Sequence, residues 1–273
     1  MSLLKSSKAP DTVAPALKEL LHALFDYAGL FPPAKLPIKS ALDKFSVYRD
    51  GDYSWMLRYF VLPTADVQAV PAEFNRGLSV VSGETWPGYD VQSRTAAIET
   101  AAPMGMNATK NVVFCQVDPS KPQLLDELRR NSCYAKIRMG GLKPEDIPPA
   151  SLVSEFMVAC AERRLPFKAT AGLHHPVRGI YPLTYEDNAP KAMMHGFINV
   201  TMAAAFAWHG DRQLEPILEE ADASAFKFDD QARWRDRVLT AAQVKEARRK
   251  FVLSIGSCSF EEPVQDLQAL GLL

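Results

Sequence analysis

The chain has 273 residues, 47% hydrophobic and 23% charged, and its 31 basic and 32 acidic residues give a formal charge of −1. That length suits one large α/β domain or two small ones, and the composition is that of an ordinary soluble protein. So balanced a charge gives no global drive toward nucleic acid or a membrane surface, and no run of ~20 apolar residues is available to span a bilayer.

The opening stretch MSLLKSSKAPDTVAP lacks the apolar centre of a signal peptide and reads as a short lead-in. Residues 14–30 carry a helical stripe of Leu17, Leu20, Leu21, Leu24 and Phe25. On this reading the helix is closed by Gly29 as a C-cap and by Pro32 and Pro33. Asp26 and Tyr27 then fall in a Pro-bounded turn, where a carboxylate and a phenol either line a pocket or cap and pack the turn. A second helix is expected over Ile38 to Tyr48.

The pattern then changes to short apolar runs. WMLRYFVLP (55–63), LSVVSG (78–83) and NVVFCQVDP (111–119) read as buried strands, with a helix-like stretch between Asp90 and Ala102. A short amphipathic helix over 122–130 precedes AKIRMGG (135–141). A helix from Ser151 to Arg164, capped by Ser151, precedes FKATAGLHHP (167–176). Five strands alternating with helices imply βα units around a parallel sheet covered on both faces. No Gly-rich phosphate loop of the dinucleotide or Walker type is present. A closed TIM-type (β/α) barrel is therefore the expected fold, ahead of a Rossmann sheet.

Beyond Pro176 the regularity weakens. Residues 176–194 read as a long loop, 195–210 as a buried helix and 226–236 as a hairpin. Thr240 is expected to cap a helix reaching about Leu253, and GSCSF (256–260) to form a turn or short strand before a last helix. The barrel is thus expected to be irregular or incomplete in its C-terminal third, within a single α/β domain over 1–273. The apolar ending LGLL is a candidate contact for a homo-oligomer.

AKIRMGG and FKATAGLHHP carry most of the functional information. Alternate residues of a strand share a face. Lys136 and Arg138 therefore point together, as do Lys168, Thr170, Gly172 and His174. Cations on one side of neighbouring strands, near the C-terminal ends where barrels hold their sites, describe a pocket for a small anionic metabolite. Arg138 suits a bidentate grip on carboxylate or phosphate, and Gly140 and Gly141 let backbone N–H groups approach the same anion. Lys168, beside two other cations, is expected to have a lowered pKa fit for a base or an imine; its alternatives are another anion contact or an ion pair with Asp118 or Asp26.

His174 is a candidate acid, base or hydrogen-bond donor, and His175 a second ligand contact. His174, His175 and His195 together are the alternative reading, a metal site. His195 and Asn199 are one helical turn apart on an apolar helix and either face a ligand or form a satisfied hydrogen-bond pair in the core. Ser257 stands ahead of the last helix, where hydroxyls and N–H groups could meet an anion. Cys258 lacks a visible base partner, and His22 and His209 read as structural or surface residues. The four cysteines, Cys115, Cys133, Cys160 and Cys258, contain no CxxC pair, and three of them sit in apolar surroundings that fit buried thiols in a reducing cytoplasm.

Taken together, DYAGLFPPA, KIRMGG, FKATAGLHHP, HGFINV and GSCSFEEP resemble a bacterial protein family with no established activity, over most of the chain. That resemblance transfers no catalytic residues. The Lys136-x-Arg138 strand followed by the Lys168 strand is also similar in style to barrel lyases of the aldolase and enolase kind. The carboxylate triad of an enolase-type metal site is not apparent at successive strand ends.

Three functions follow. The first is a lyase or isomerase acting on a small anionic carbonyl or carboxylate compound, with Arg138 and Lys136 holding the anion and Lys168 or His174 performing imine or proton chemistry. The second is a metal-dependent hydrolase using the three histidines. The third is a non-catalytic binding protein for an anionic metabolite. No cofactor is specified by the sequence.

Overall fold

A computed structural model describes residues 13–75, 77–83, 87–101 and 111–273. Most of the lead-in, and the end of the stretch expected to be helical up to Ala102, lie outside them.

Eight parallel strands close into a barrel. They are β1 (Phe25–Tyr27), β2 (Leu57–Pro63), β3 (Leu78–Val81), β4 (Ala97–Thr100), β5 (Val112–Gln116), β6 (Tyr134–Arg138), β7 (Phe167–Thr170) and β13 (Val252–Ser257). The TIM-type architecture is as the sequence rhythm implied, and the C-terminal third completes the circle. The eighth strand had been hidden. Val252 and Leu253 look like the end of helix α8 (Ala241–Lys250), but that helix stops earlier, and the next residues run between β7 and β1. Thr240 does cap α8, in a reciprocal pair with Gln243.

Two other strands stand where the sequence pattern predicts a turn and a helix. The first helix, α1, spans only Pro15–Leu21, so Asp26 and Tyr27 belong to β1 rather than to a turn, and Gly29 caps no helix. The stretch after Asp90 divides into a short helix α3 (Tyr89–Arg94) and β4. Both strands are brief, and burial on a closed sheet overrides their helical periodicity.

The helices between strands are α2 (Ile38–Asp50), α4 (Leu124–Arg130) and α5 (Ala150–Glu162), with α9 (Glu261–Ala269) following β13. Pro149, not Ser151, is the N-cap of α5. The chain between β7 and β13 makes an excursion. It contains a hairpin, β8 (Gly179–Pro182) with β9 (Lys191–Met194), inside the expected loop. Next come α6 (Phe197–Trp208), α7 (Glu215–Glu219) and a three-stranded antiparallel sheet of β10 (Phe226–Phe228), β11 (Gln231–Trp234) and β12 (Arg237–Thr240). Helix α6 is apolar on nearly all sides because α5, α7, α8 and β13 all pack on it.

Strand alternation sorts the side chains. Ile98, Val113, Ala135, Ile137, Phe167, Ala169 and Ile255 join the apolar layer beneath the helices. Their neighbours along the chain, among them Asp26, Glu99, Lys136, Lys168 and Ser254, fill the lumen instead. Barrel lumens are commonly packed with branched apolar residues; this one is largely polar. The final Leu272 and Leu273 pack against this chain's own core, while Leu270 is exposed. Among the described residues no helix is long and apolar enough to cross a membrane.

Candidate active site

The lumen is organised around Lys168. Its ammonium is wholly buried and lies 2.6 Å from Asp26 Oδ2 and 2.6 Å from Glu99 Oε1. Two hydroxyls complete the arrangement: Ser254 donates to Asp26 Oδ2 at 2.7 Å and Ser79 to Glu99 Oε1 at 2.7 Å. The Phe114 ring lies 5.4 Å from the ammonium. Burial works against the Lys168 charge, but Asp26 and Glu99 outweigh it and hold its pKa above the ordinary lysine value. The expected lowering is therefore reversed. Asp26 is the counterion, while Asp118 is exposed and turned to Ser120.

The lysine with a lowered pKa is its neighbour. Lys136 sits directly opposite Lys168 in the β6–β7 pairing, with its Nζ 3.4 Å from Glu99 Oε2. Burial pushes its ammonium down. Glu99 opposes the shift, and the positive charges of Lys168 and Arg138 add to it. Burial alone would raise the Glu99 carboxyl, but Lys168, Lys136 and Ser79 hold it down at about 2. Glu99 thus bridges two amines whose pKa values are shifted in opposite directions.

Above this cluster a cavity of about 560 Å³ opens at the C-terminal ends of the strands. Lys136, Glu99 and Lys168 form part of its floor, and Val61, Val81, Phe31 and Met194 line its apolar walls. The size is in the range of small-molecule sites. Arg138, two residues up the strand from Lys136, is exposed at the cavity and donates to the Gly140 carbonyl at 3.3 Å. Thr170 and Gly141 also line it.

The two glycine-rich turns have a packing reason. Gly172 has φ +69°, and a Cβ on it would stand 3.0 Å from the Gly140 Cα, so the turns touch backbone to backbone. A Cβ on Gly141 would meet the Asp146 carboxylate at 2.3 Å, and that carboxylate also accepts from the Lys143 N–H. The carboxylate held in this turn is the protein's own. With Ala171 also at positive φ, the chain leaves β7 sharply, so the turn rather than strand alternation brings His174 to the cavity.

His174 shares a hydrogen bond of 3.1 Å with the Ser257 hydroxyl through Nδ1. Burial, with His175 adding to it, lowers its pKa to about 4, so it is neutral at neutral pH. Cys258 Sγ lies 3.8 Å from the same ring, a base partner that the sequence did not reveal. Burial nevertheless pushes the thiol up to about 11, which keeps it protonated. Tyr185, from the β8–β9 connection, reaches Cys258 at 3.5 Å and Glu262 at 3.0 Å.

The remaining candidates do not line this cavity. Tyr27 points outward, stacked on Phe45 and edge-on to Tyr48. His175 stacks on Tyr181 at 3.6 Å and pairs with Asp266 at 2.6 Å. His195 donates from Nε2 to the Pro148 carbonyl at 2.8 Å. Asn199 donates to the carbonyls of Ile217 and Glu220 and accepts from the Arg178 N–H, bracing α6 against its surroundings. The three histidines thus turn to different partners, and among the described residues no group of three or more His, Cys, Asp or Glu is disposed to hold a metal ion. The N-terminus of α9 is occupied by Glu261 and Glu262 in its own first turn. Of the cluster, Glu99, Ser79 and Ser254 were missed. A lone acid inside the short apolar run AAIET was the available signal for Glu99.

Compared with known proteins, the chain gives no significant match to a family model, a curated sequence or a solved structure. The reading of the site therefore rests on its own geometry.

Proposed function

We propose that the protein is a lyase or isomerase that forms an imine between Lys136 and a small carbonyl compound carrying an anionic group. One observation carries this reading: a cavity-facing amine with a lowered pKa stands beside a second lysine whose charge is locked by two carboxylates. A neutral amine is the nucleophile that imine chemistry requires. The buried Lys168 charge favours that form in Lys136 without reacting itself.

Lys136 Nζ adds to the carbonyl carbon, and the carbonyl oxygen gains protons and leaves as water. The resulting cationic imine draws the electron pair of a neighbouring C–C or C–H bond. The proton released, from the C–H bond itself or, in C–C cleavage, from the hydroxyl of the fragment that leaves as a second carbonyl compound, is taken up by a base, and a proton is later returned to carbon. Hydrolysis of the imine restores the amine. Glu99, 3.4 Å from Lys136 Nζ, holds the amine in place. Neutral His174 accepts and returns protons at the mouth, and Arg138 grips the anionic group of the substrate.

Borohydride reduction in the presence of small keto acids, hydroxy aldehydes and their phosphates tests the reading. One covalent adduct per chain is expected, located at Lys136 by peptide mass mapping and lost in Lys136→Arg. Labelling that is absent across the panel, or that persists unchanged in Lys136→Arg, overturns it. Ligand-dependent thermal stabilisation without any adduct would point instead to a binding protein.

A further inference from the structure

A second cavity, of about 460 Å³, lies at the other end of the barrel. Its walls come from the C-terminal turn of α1, the start of β2, the last turns of α8 and the start of β13. These are the N-terminal ends of the strands, opposite the mouth. The chemistry above assigns this cavity no role.

Its lining is strongly basic: Lys18, Arg58, Lys245, Arg248 and Arg249, with Glu19 as the one acid. Glu19 is already engaged by Lys245 at 2.8 Å. Among the described residues no carboxylate forms an ion pair with Lys18, Arg58, Arg248 or Arg249. Arg248 is buried and has a structural explanation. It donates to the carbonyls of Leu20, His22, Ala23, Val252 and Leu253, tying the end of α1 to the start of β13. Cations are also favoured at the C-terminal end of a helix such as α8.

That explanation does not extend to Arg58. It lies across the cavity on β2, makes one long hydrogen bond of 3.4 Å to the Leu253 carbonyl, and packs its guanidinium 4.4 Å from the Tyr59 ring. After burial, the Arg58 charge is what most opposes the Arg248 charge, with Asp26 acting the other way, and Lys18 and Arg249 add charge of the same sign. Like charges gathered in a concave site, whose lining acid among the described residues is paired with Lys245, form a focused positive potential. Guanidiniums suit oxyanions with several oxygens to share among them.

We propose that this lower cavity is a binding site for a multiply charged, phosphate-type anion, separate from the site at the mouth. Arg58 and Arg249 contact the ligand, and Arg248, committed to carbonyls, supplies fixed charge. The proposal does not depend on imine chemistry at the mouth.

Titration calorimetry of the intact protein with inorganic pyrophosphate, at ionic strength matched with sodium chloride, tests it. Saturable binding is expected in the wild type. Arg58→Gln and Arg249→Gln, each at a site outside the apolar core, should weaken it by about tenfold or more, while Lys39→Gln, an equal change of charge on the exposed face of α2, leaves it intact. Absence of saturable binding at matched ionic strength overturns the proposal. So does pyrophosphate binding that is unchanged in both lower-cavity variants.

Discussion

The floor of the upper cavity and its rim use the same residue types under opposite physics. On the floor, Lys168 has no contact with solvent and two carboxylates within 2.6 Å, so its charge is structural. At the rim, Arg138 is exposed and, among the described residues, donates to a backbone carbonyl. Lys136 lies between them, 7% exposed, with one carboxylate at 3.4 Å. The gradient teaches that a basic strand face is not one feature. Depth decides whether a cation is locked by carboxylates or left open to the cavity. A buried charge must be matched before the chain will fold, whereas an exposed one is free for other partners.

The largest effect that would break this contrast is on the floor. Lys168→Met leaves Asp26 and Glu99 facing each other in a closed lumen. It should lower stability by about 3–5 kcal/mol in urea unfolding, as for other broken buried pairs. A loss below about 1 kcal/mol would show that the cluster is not the keystone described here.

Glu99→Gln comes next. It keeps the shape but leaves Lys168 with one counterion and Lys136 with none, for an expected loss of about 2–3 kcal/mol. It should also change the response to acid. The folded-state pKa of Glu99 is about 2 against an ordinary 4.5, so its stabilisation is complete above the ordinary value and is lost as pH falls toward the folded one. Urea midpoints compared at about pH 6 and about pH 3 should fall less steeply in Glu99→Gln than in the wild type. Parallel slopes would remove Glu99 as the acid-sensitive group.

At the rim the effect should move from stability to binding. Arg138→Ala is expected to leave unfolding within about 0.5 kcal/mol of the wild type. It should weaken an anionic substrate by roughly 10- to 150-fold, the range of a hydrogen bond to a charged group, with KM rising more than kcat falls. A variant that lost stability but bound substrate normally would invert the contrast.

The smallest effect separates the two adjacent histidines. His175→Ala removes a partly exposed pair with Asp266 and a stack on Tyr181, which should reduce stability by about 1 kcal/mol or less and leave borohydride labelling unchanged. Substantial loss of labelling in this variant would draw His175 into the site.

Sequence by itself determined the barrel class, through the alternation of short apolar runs and helices, and it put Lys136 with Arg138, and Lys168 with Thr170, on one face of neighbouring strands, whereas His174 comes to the same cavity through the turn after β7. Those are local properties: strand parity and the position of a turn follow from neighbouring residues. Tertiary structure decided the rest. Closure depended on β1, β4 and β13, three strands too short or too disguised for periodicity to reveal. Closure is also what brings Asp26, Glu99 and Lys168 together from three distant parts of the chain. Because a buried amine's pKa is set by the balance of burial against such partners, the sequence assigned the lowered value to Lys168, whereas the folded barrel gives it to Lys136.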